Sequence, residues 1–520
     1  MYIRAHRTPD RTTGALPHHS ERLDSPPMPE EPTPSAMPRW LPHPVALHAI
    51  VLGAVLYAAF LAKGPWDSDF YWHLPTGRMI AEGAFPRTDP FSFTWGGMPW
   101  TLHEWLGELL LFRLVDGLDY MGAVLVYALI PGIAMAILAF ALHRYGLRTA
   151  AIAASTTLTA FLIIPYATIR PQAVSWIFFA ILIGGLMHLR PDRWRWTLML
   201  VPLFVLWANL HGLWVVGLAV LAVYAVLTLA GMTPMSGGAK RWALAMIPLA
   251  MLGVMVTPEG PALLLYPLRY VDAGDWGLGN ITEWQSPDFH DAAHIPLFIF
   301  MGAIAVFGRW RGVPWWMSIL AFMGIAMTLL ALRNGAVAAV LGLPALAVGM
   351  DAALRDWRPN PRAFSPRLAR QRRILEVLVA AAVAVAAVVI FVPRDPAAAV
   401  RASIERELPV QGVELLLEAV PDGRILAEYG WGGYVIGQMY DSGARVMVDG
   451  RNDMYSQEIL EEYGHVRDAD AGWDEIADRY EADALIFPPY RSITKGPAED
   501  AGWCEAYRDA NEVVYLRDCG

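Results

Sequence analysis

Cysteine and charge are what this chain has least of. Its 520 residues include two cysteines, Cys504 and Cys519, which excludes a disulfide framework or a cysteine-rich zinc module as the basis of the fold. Only 17% of residues are charged against 55% hydrophobic, and mean hydropathy is +0.35. Soluble domains are nearer about a quarter charged, so the composition is that of a polytopic membrane protein. No basic arm or stripe suits nucleic acid. A Walker-type Gly-Lys-Ser/Thr loop, a Gly-x-Ser-x-Gly elbow and a His-Glu-x-x-His pair are all missing. An ATP-driven pump, a serine hydrolase and a zincin therefore lose support.

Apolar runs and tryptophan are abundant. The 21 tryptophans fit a membrane protein, because indole prefers the headgroup level. Residues 1–44 are rich in Pro, Arg, Ser and His without apolar periodicity and read as a disordered cytoplasmic tail. Between Val45 and Val392 lie about eleven apolar runs, each near the ~20 residues that cross the hydrocarbon. They start with Val45–Ala62 and Met121–Leu142, include Thr197–Ala208 and Trp242–Val256, and end with Ile374–Val392. Phe70–Glu82 and Trp105–Leu118, apolar on one face only, are expected to lie along the interface.

Basic residues punctuate alternate loops: Arg144 and Arg148, then Arg190, Arg193 and Arg195, then Lys240 and Arg241, then Arg309 and Arg311, then an arginine-rich loop from Arg355 to Arg373. The bias over the opposite loops is about two to one or better, which orients the N-terminus to the cytoplasm. Residues 45–393 are then the membrane domain, with an outer loop at 64–118. Residues 394–520, where acids outnumber bases, form a separate extracytoplasmic domain.

That domain reads as a small α/β fold. Arg424–Ala427, Tyr434–Gln438, Arg445–Val448, Ala484–Phe487 and Val513–Leu516 are short β-type runs, and Val413–Ala419, Ser456–Tyr463 and Trp473–Tyr480 have helical spacing. Trp503–Arg508 and Glu512–Arg517 suggest a terminal hairpin with both cysteines near its ends, so a disulfide is open there.

Polar chemistry concentrates in the first outer loop, where Asp67, Asp69, His73, Arg78, Asp89, His103, Glu104 and Glu108 fall within a short stretch at the mouth of the first apolar run. Ionisable groups so placed are a site hypothesis. Asp67 and Asp69 either cap the helix that follows or supply a catalytic carboxylate. Asp69 and His73, four apart, share a face if that segment is helical. His103, Glu104 and Glu108 either satisfy a helix N-terminus or bind substrate. Glu104 with Asp67 and Asp69 is a candidate ligand set for a divalent cation. Arg333, between two apolar runs, suits a lipid phosphate or a structural ion pair. His211 is either a cavity residue or a helix-end hydrogen bonder, and Glu283-Trp284 either holds a sugar ring or anchors at the interface.

The stretches Asp67-Ser68-Asp69-Phe70-Tyr71-Trp72-His73-Leu74, Pro86-Arg87-Thr88-Asp89-Pro90-Phe91-Ser92 and His103-Glu104-Trp105-Leu106 resemble a family of bacterial polytopic membrane proteins grouped with the GT-C glycosyltransferases. Asn209-Leu210-His211-Gly212, Glu283 to Phe289, Gly432-Gly433-Tyr434 and Asp449 to Tyr455 fit the same family. The resemblance implies transfer of a sugar from a polyprenyl-phosphate carrier to a glycan, lipid or protein acceptor at the outer face of the cytoplasmic membrane. Asp69 or Asp67 would be the base, assisted by Glu104. His73, Arg78, His103, Glu108, His211, Glu283, Trp284 and Arg333 would bind substrate, with magnesium or manganese as the cation. Tyr429-Gly430-Trp431-Gly432-Gly433 is only an echo of the oligosaccharyltransferase signature, which puts peptide-sequon recognition in doubt. The rival from another class is a non-catalytic envelope scaffold whose C-terminal domain binds partners. Convergence of Asp67, Asp69, Glu104 and Arg333 on one cavity discriminates between the two.

Overall fold

A computed structural model describes residues 41–64, 66–268, 279–357, 365–451 and 454–517. The expected tail up to residue 40, part of the second outer loop, Asn452, Asp453 and Cys519 lie outside the described residues. A helix stands on every apolar run, but their lengths differ. Five helical stretches are long and apolar enough to cross a membrane: Pro44–Lys63, Thr149–Tyr166, Pro171–His188, Leu332–Trp357 and Arg367–Phe391. Trp214–Leu229, Ala292–Phe307 and Trp315–Leu330 are shorter apolar helices. At 1.5 Å per residue, the 11 residues of Leu200–Leu210 reach only about half of the ~30 Å hydrocarbon. By length and composition, then, five helices qualify among the described residues, or six if one bent pair is a single span, and the count of eleven is not reproduced.

That bent pair alters one expected boundary. Helix α1 (Pro44–Lys63) ends at Gly64, and α2 (Ser68–Ala81) starts from the Asp67 cap. Helix α3 (Trp105–Tyr127) breaks its backbone at Asp119, φ 62°, where the interfacial segment was expected to end, and the Asp119 carboxylate then caps Gly122. The run Met121–Leu142 is not one straight helix: it bends by 41° between Tyr127 and α4 (Ile130–Arg144). Pro131, at the first turn of α4, cannot continue the hydrogen-bond ladder. An 18-residue apolar window of Leu332–Trp357 is 83% buried and forms the centre of the bundle, whereas that of Arg367–Phe391, at 6%, is peripheral and rests on α1.

The C-terminal part carries a five-stranded sheet in the order β2-β1-β3-β5-β4. The strands are β1 (Arg424–Ala427), β2 (Arg445–Val446), β3 (Ala484–Phe487), β4 (Cys504–Arg508) and β5 (Val513–Leu516). β1 runs parallel to both β2 and β3, while β5 is antiparallel to β3 and β4 in the expected hairpin. Cys504 is disulfide-bonded.

Tyr434–Gln438 is not a strand. It lies within the helix Gly432–Met439, where Tyr434, Val435, Ile436 and Met439 are all buried, so the run shows no alternation and too short a length for its period to be read. This helix packs on α2 through Gly433 and Gly437. A Cβ on Gly433 would sit 2.5 Å from the Ser68 carbonyl, and one on Gly437 2.6 Å from that of Tyr71. Only glycine permits so close an approach of two backbones.

Two further contacts tie the C-terminal part to the 64–118 loop. Phe93 N–H donates to the Val446 carbonyl (3.0 Å) and Val446 N–H to that of Phe91 (3.1 Å), which continues the sheet edge into the loop. Buried Arg451 reaches Asp89 (2.8 Å) and Asp449 (2.6 Å), with its guanidinium 4.7 Å from the Trp100 ring centre and 4.9 Å from that of Phe91. Tyr455 donates its hydroxyl to Asp449 at 2.7 Å. The two parts therefore share a core instead of meeting through a loose linker.

Candidate functional site

Where the apolar helices, the 64–118 loop and the C-terminal part meet, they enclose a cavity of about 420 Å³. Its floor is the start of α2. Asp67 caps that helix, accepting the Asp69 N–H at 3.0 Å, and this turns both carboxylates toward the same cation. The cation is Arg170, whose guanidinium lies 2.5 Å from Asp67 Oδ2, 3.1 Å from Asp69 Oδ2 and 3.8 Å from Glu283 Oε2. Arg170 precedes Pro171, which holds its backbone extended and aims the side chain out of the helix that follows. Glu283 in turn meets Arg333 at 3.6 Å, and the Arg333 guanidinium lies 5.0 Å from the centre of the Trp284 ring.

A second set of groups lines the wall nearer α3. Glu104 Oε1 accepts from His103 Nε2 at 3.0 Å and faces His211 Nε2 at 3.4 Å. His211 Nδ1 accepts the Leu213 N–H at 3.1 Å, so the ring proton sits on Nε2 and points at Glu104. His73 and Glu108, both buried, meet at 3.3 Å.

The electrostatics separate these carboxylates. Burial pushes Asp69 up to about 6; Arg170 opposes the shift, while Asp67, Glu283 and Asp449 add to it. Burial also works against the ionisation of Glu283, but Arg333 and Arg170 outweigh it and hold the carboxyl below its usual range. Glu104 is held low by His211 and His103 in spite of its burial. Burial lowers His211 to about 4 and His73 to about 3, so both rings are neutral donors or acceptors at neutral pH. Burial, and after it the neighbouring Glu104 charge, pushes Glu108 well above the usual carboxylate range. Carboxylates whose affinities for a proton are set this far apart in one cavity are an arrangement suited to moving a proton.

Among known structures, ArnT from Cupriavidus metallidurans bound to undecaprenyl phosphate aligns with this chain at a TM-score of 0.51 and 14% identity, over 92% of this chain and 98% of that one. The fold is ArnT-like. No family model and no curated protein matches the sequence. The likeness to ArnT is one of fold, and it agrees with the GT-C-like architecture expected from the motifs.

Within this ArnT-like frame the cavity gathers Asp67, Asp69, His73, His103, Glu104, Glu108, His211, Glu283, Trp284 and Arg333. Arg78 does not join them. It is half-exposed on the far side of α2, where it pairs with Asp441 (2.8 Å) and Glu82 (3.0 Å) and clips the C-terminal part to the outer loop. Among the described residues no three His, Cys, Asp or Glu side chains are grouped to hold a metal. The donor atoms explain this, since Asp67 and Asp69 face a guanidinium while Glu104 faces two imidazoles.

Residues that local sequence patterns did not single out for the site also line it. Arg170 is one such residue, a single loop cation before a proline in the sequence. Lys63 donates to the carbonyls of Pro165 (2.7 Å) and Ala167 (3.3 Å), and Tyr429, Gly450 and Arg451 arrive from the C-terminal part. Gly450 lies against Asp69: a Cβ there would run into Asp69 Oδ1 and fall 2.8 Å from the Asp69 Cγ.

Proposed function

We propose that the protein is an integral membrane glycosyltransferase of the GT-C type, moving a sugar from a polyprenyl-phosphate donor to an acceptor at the outer face of the cytoplasmic membrane. The observation that carries this reading is the convergence of Asp67, Asp69, Glu104 and Arg333 on one cavity beside the ends of membrane helices. A non-catalytic scaffold has no need to bury these charges together, where each costs desolvation. Support also comes from the ArnT-like fold, because the solved ArnT holds undecaprenyl phosphate.

In this reading Asp69 takes the proton of an acceptor hydroxyl as its oxygen attacks the anomeric carbon. The bond between that carbon and the phosphate oxygen breaks, and polyprenyl phosphate leaves as an anion without needing an acid. A carboxylate raised to about 6 is still ionised at neutral pH and a better base than an ordinary one. Arg333, stacked on Trp284, and Lys63 offer positive charge to the departing phosphate. Arg170 orients the two aspartates, and Glu104 with its histidines holds the acceptor side.

The test is Asp69→Asn in the full-length protein at wild-type expression. It keeps the shape and removes the base, so envelope glycoconjugates compared by mass spectrometry should lose the product that a gene deletion loses. Full product from the variant would take Asp69 out of the chemistry.

A further inference from the structure

A second cavity, of about 630 Å³, lies on the C-terminal side of the first, and the two share Trp66, Ile281, Tyr429 and Gly430 as a common wall. We infer that this second cavity is the acceptor subsite and that it takes a saccharide chain, whose terminal hydroxyl reaches Asp69 past Tyr429 and Gly430. The inference rests on the transferase reading above and adds to it the class of acceptor.

Two features of the walls specify that chemistry. The first is aromatic surface beside polar groups already held in place. Tyr490 is 66% exposed, with the Arg491 guanidinium 5.1 Å from its ring centre, and Arg491 is itself gripped at both ends by Glu428 at 2.8 and 2.5 Å. A ring face next to fixed hydrogen-bonding atoms is how a sugar is held, by stacking its apolar face and bonding its hydroxyls. The second is charge balance. Arg491 is matched by Glu428, Arg406 meets Glu407 at 3.2 Å, and Arg467 binds Asp468 (2.5 Å) and Asn280 (3.0 Å). Guanidinium groups neutralised in this way do not form an anion trap, and walls so polar are unsuited to an acyl chain. A neutral, hydroxyl-rich ligand fits both features.

Gly430 is the smallest residue of the shared wall. Gly430 has no atom within 4 Å of where a Cβ would stand, although Tyr429 beside it is anchored by its N–H to the Tyr463 hydroxyl at 2.6 Å. A larger side chain at 430 would therefore start out into open space at a position that lines both cavities.

The experiment complements a gene-deletion strain with full-length wild type, Asp69→Asn, Gly430→Leu and Tyr490→Ala, with membrane levels matched by immunoblot. Envelope polysaccharides, phospholipids and proteins are then profiled by mass spectrometry. The expected result is that Asp69→Asn removes a sugar from a saccharide acceptor, and that Gly430→Leu and Tyr490→Ala each lower the same product about tenfold, the scale of one lost aromatic contact. The inference is overturned if the missing sugar belongs on a phospholipid headgroup or a protein side chain. It is equally overturned if both cavity variants make the saccharide product at wild-type level. If Asp69→Asn loses nothing, the transferase reading itself fails, an outcome distinct from the other two.

Discussion

The closest approach between the C-terminal part and the carboxylate read as the base is at Gly450, and replacing it with alanine is a demanding perturbation. The added Cβ would overlap Asp69 Oδ1 and stand 2.8 Å from the Asp69 Cγ. Carbon atoms settle at about 3.5–4.0 Å, so one side must give way by roughly 1 Å. The loop is the stiffer side, because Asp449 and Arg451 flank Gly450 and are locked in the buried network with Asp89 and Tyr455. The Asp69 carboxylate moves instead, away from the position that Arg170 gives it. A displacement of about 1 Å at a reacting group costs on the order of 10²-fold in rate, while overpacking costs about 1–3 kcal/mol in stability. In purified full-length protein, kcat for transfer should fall by about that factor while KM for the donor holds, and thermal unfolding should remain cooperative. Wild-type kcat in Gly450→Ala would refute the placement of the loop against the base.

Asp69, raised to about 6 by burial, is protonated below that pH and ionised above it, so kcat/KM should climb through about pH 6 and level off; an acid limb near 4 would contradict this. Arg170→Met removes the cation that favours the ionised form and should move that limb to higher pH, as read from the same profile. Arg451→Met strands Asp89 and Asp449 in the interior and should cost about 3–5 kcal/mol, seen as a lowered thermal midpoint. Arg78→Ala should leave transfer unchanged and stability within about 1 kcal/mol, because its two ion pairs are exposed and lie outside the cavity.

What local pattern could reveal, it did. Asp67 to His73 announced a capped helix where an apolar run ends, and the expected strands at Arg424–Ala427, Ala484–Phe487 and Val513–Leu516 stand out as short apolar runs between turn residues. Long-range pairing carried no such signal. Arg451 and Asp89 stand 362 residues apart, and nothing near either one names the other. Arg170 likewise looks like any loop arginine until the fold brings Asp67, Asp69 and Glu283 around it. Arg78 misled for the converse reason: it sits on the right helix but on the face that meets Asp441. The apolar run at Tyr434 was too short for its period to separate helix from strand. The pair Gly433 and Gly437, four apart, was the clue to a helix pressed against another backbone.

The most direct test of the central claim is photo-crosslinking of the purified full-length protein with a diazirine-bearing undecaprenyl phosphate, followed by peptide mapping. Labelling should fall on the cavity mouth, within 63–73, 281–284 and around Arg333, and excess unlabelled undecaprenyl phosphate should suppress it. Labelling confined to other helix ends, or no more than an unrelated acyl phosphate gives, would contradict the account.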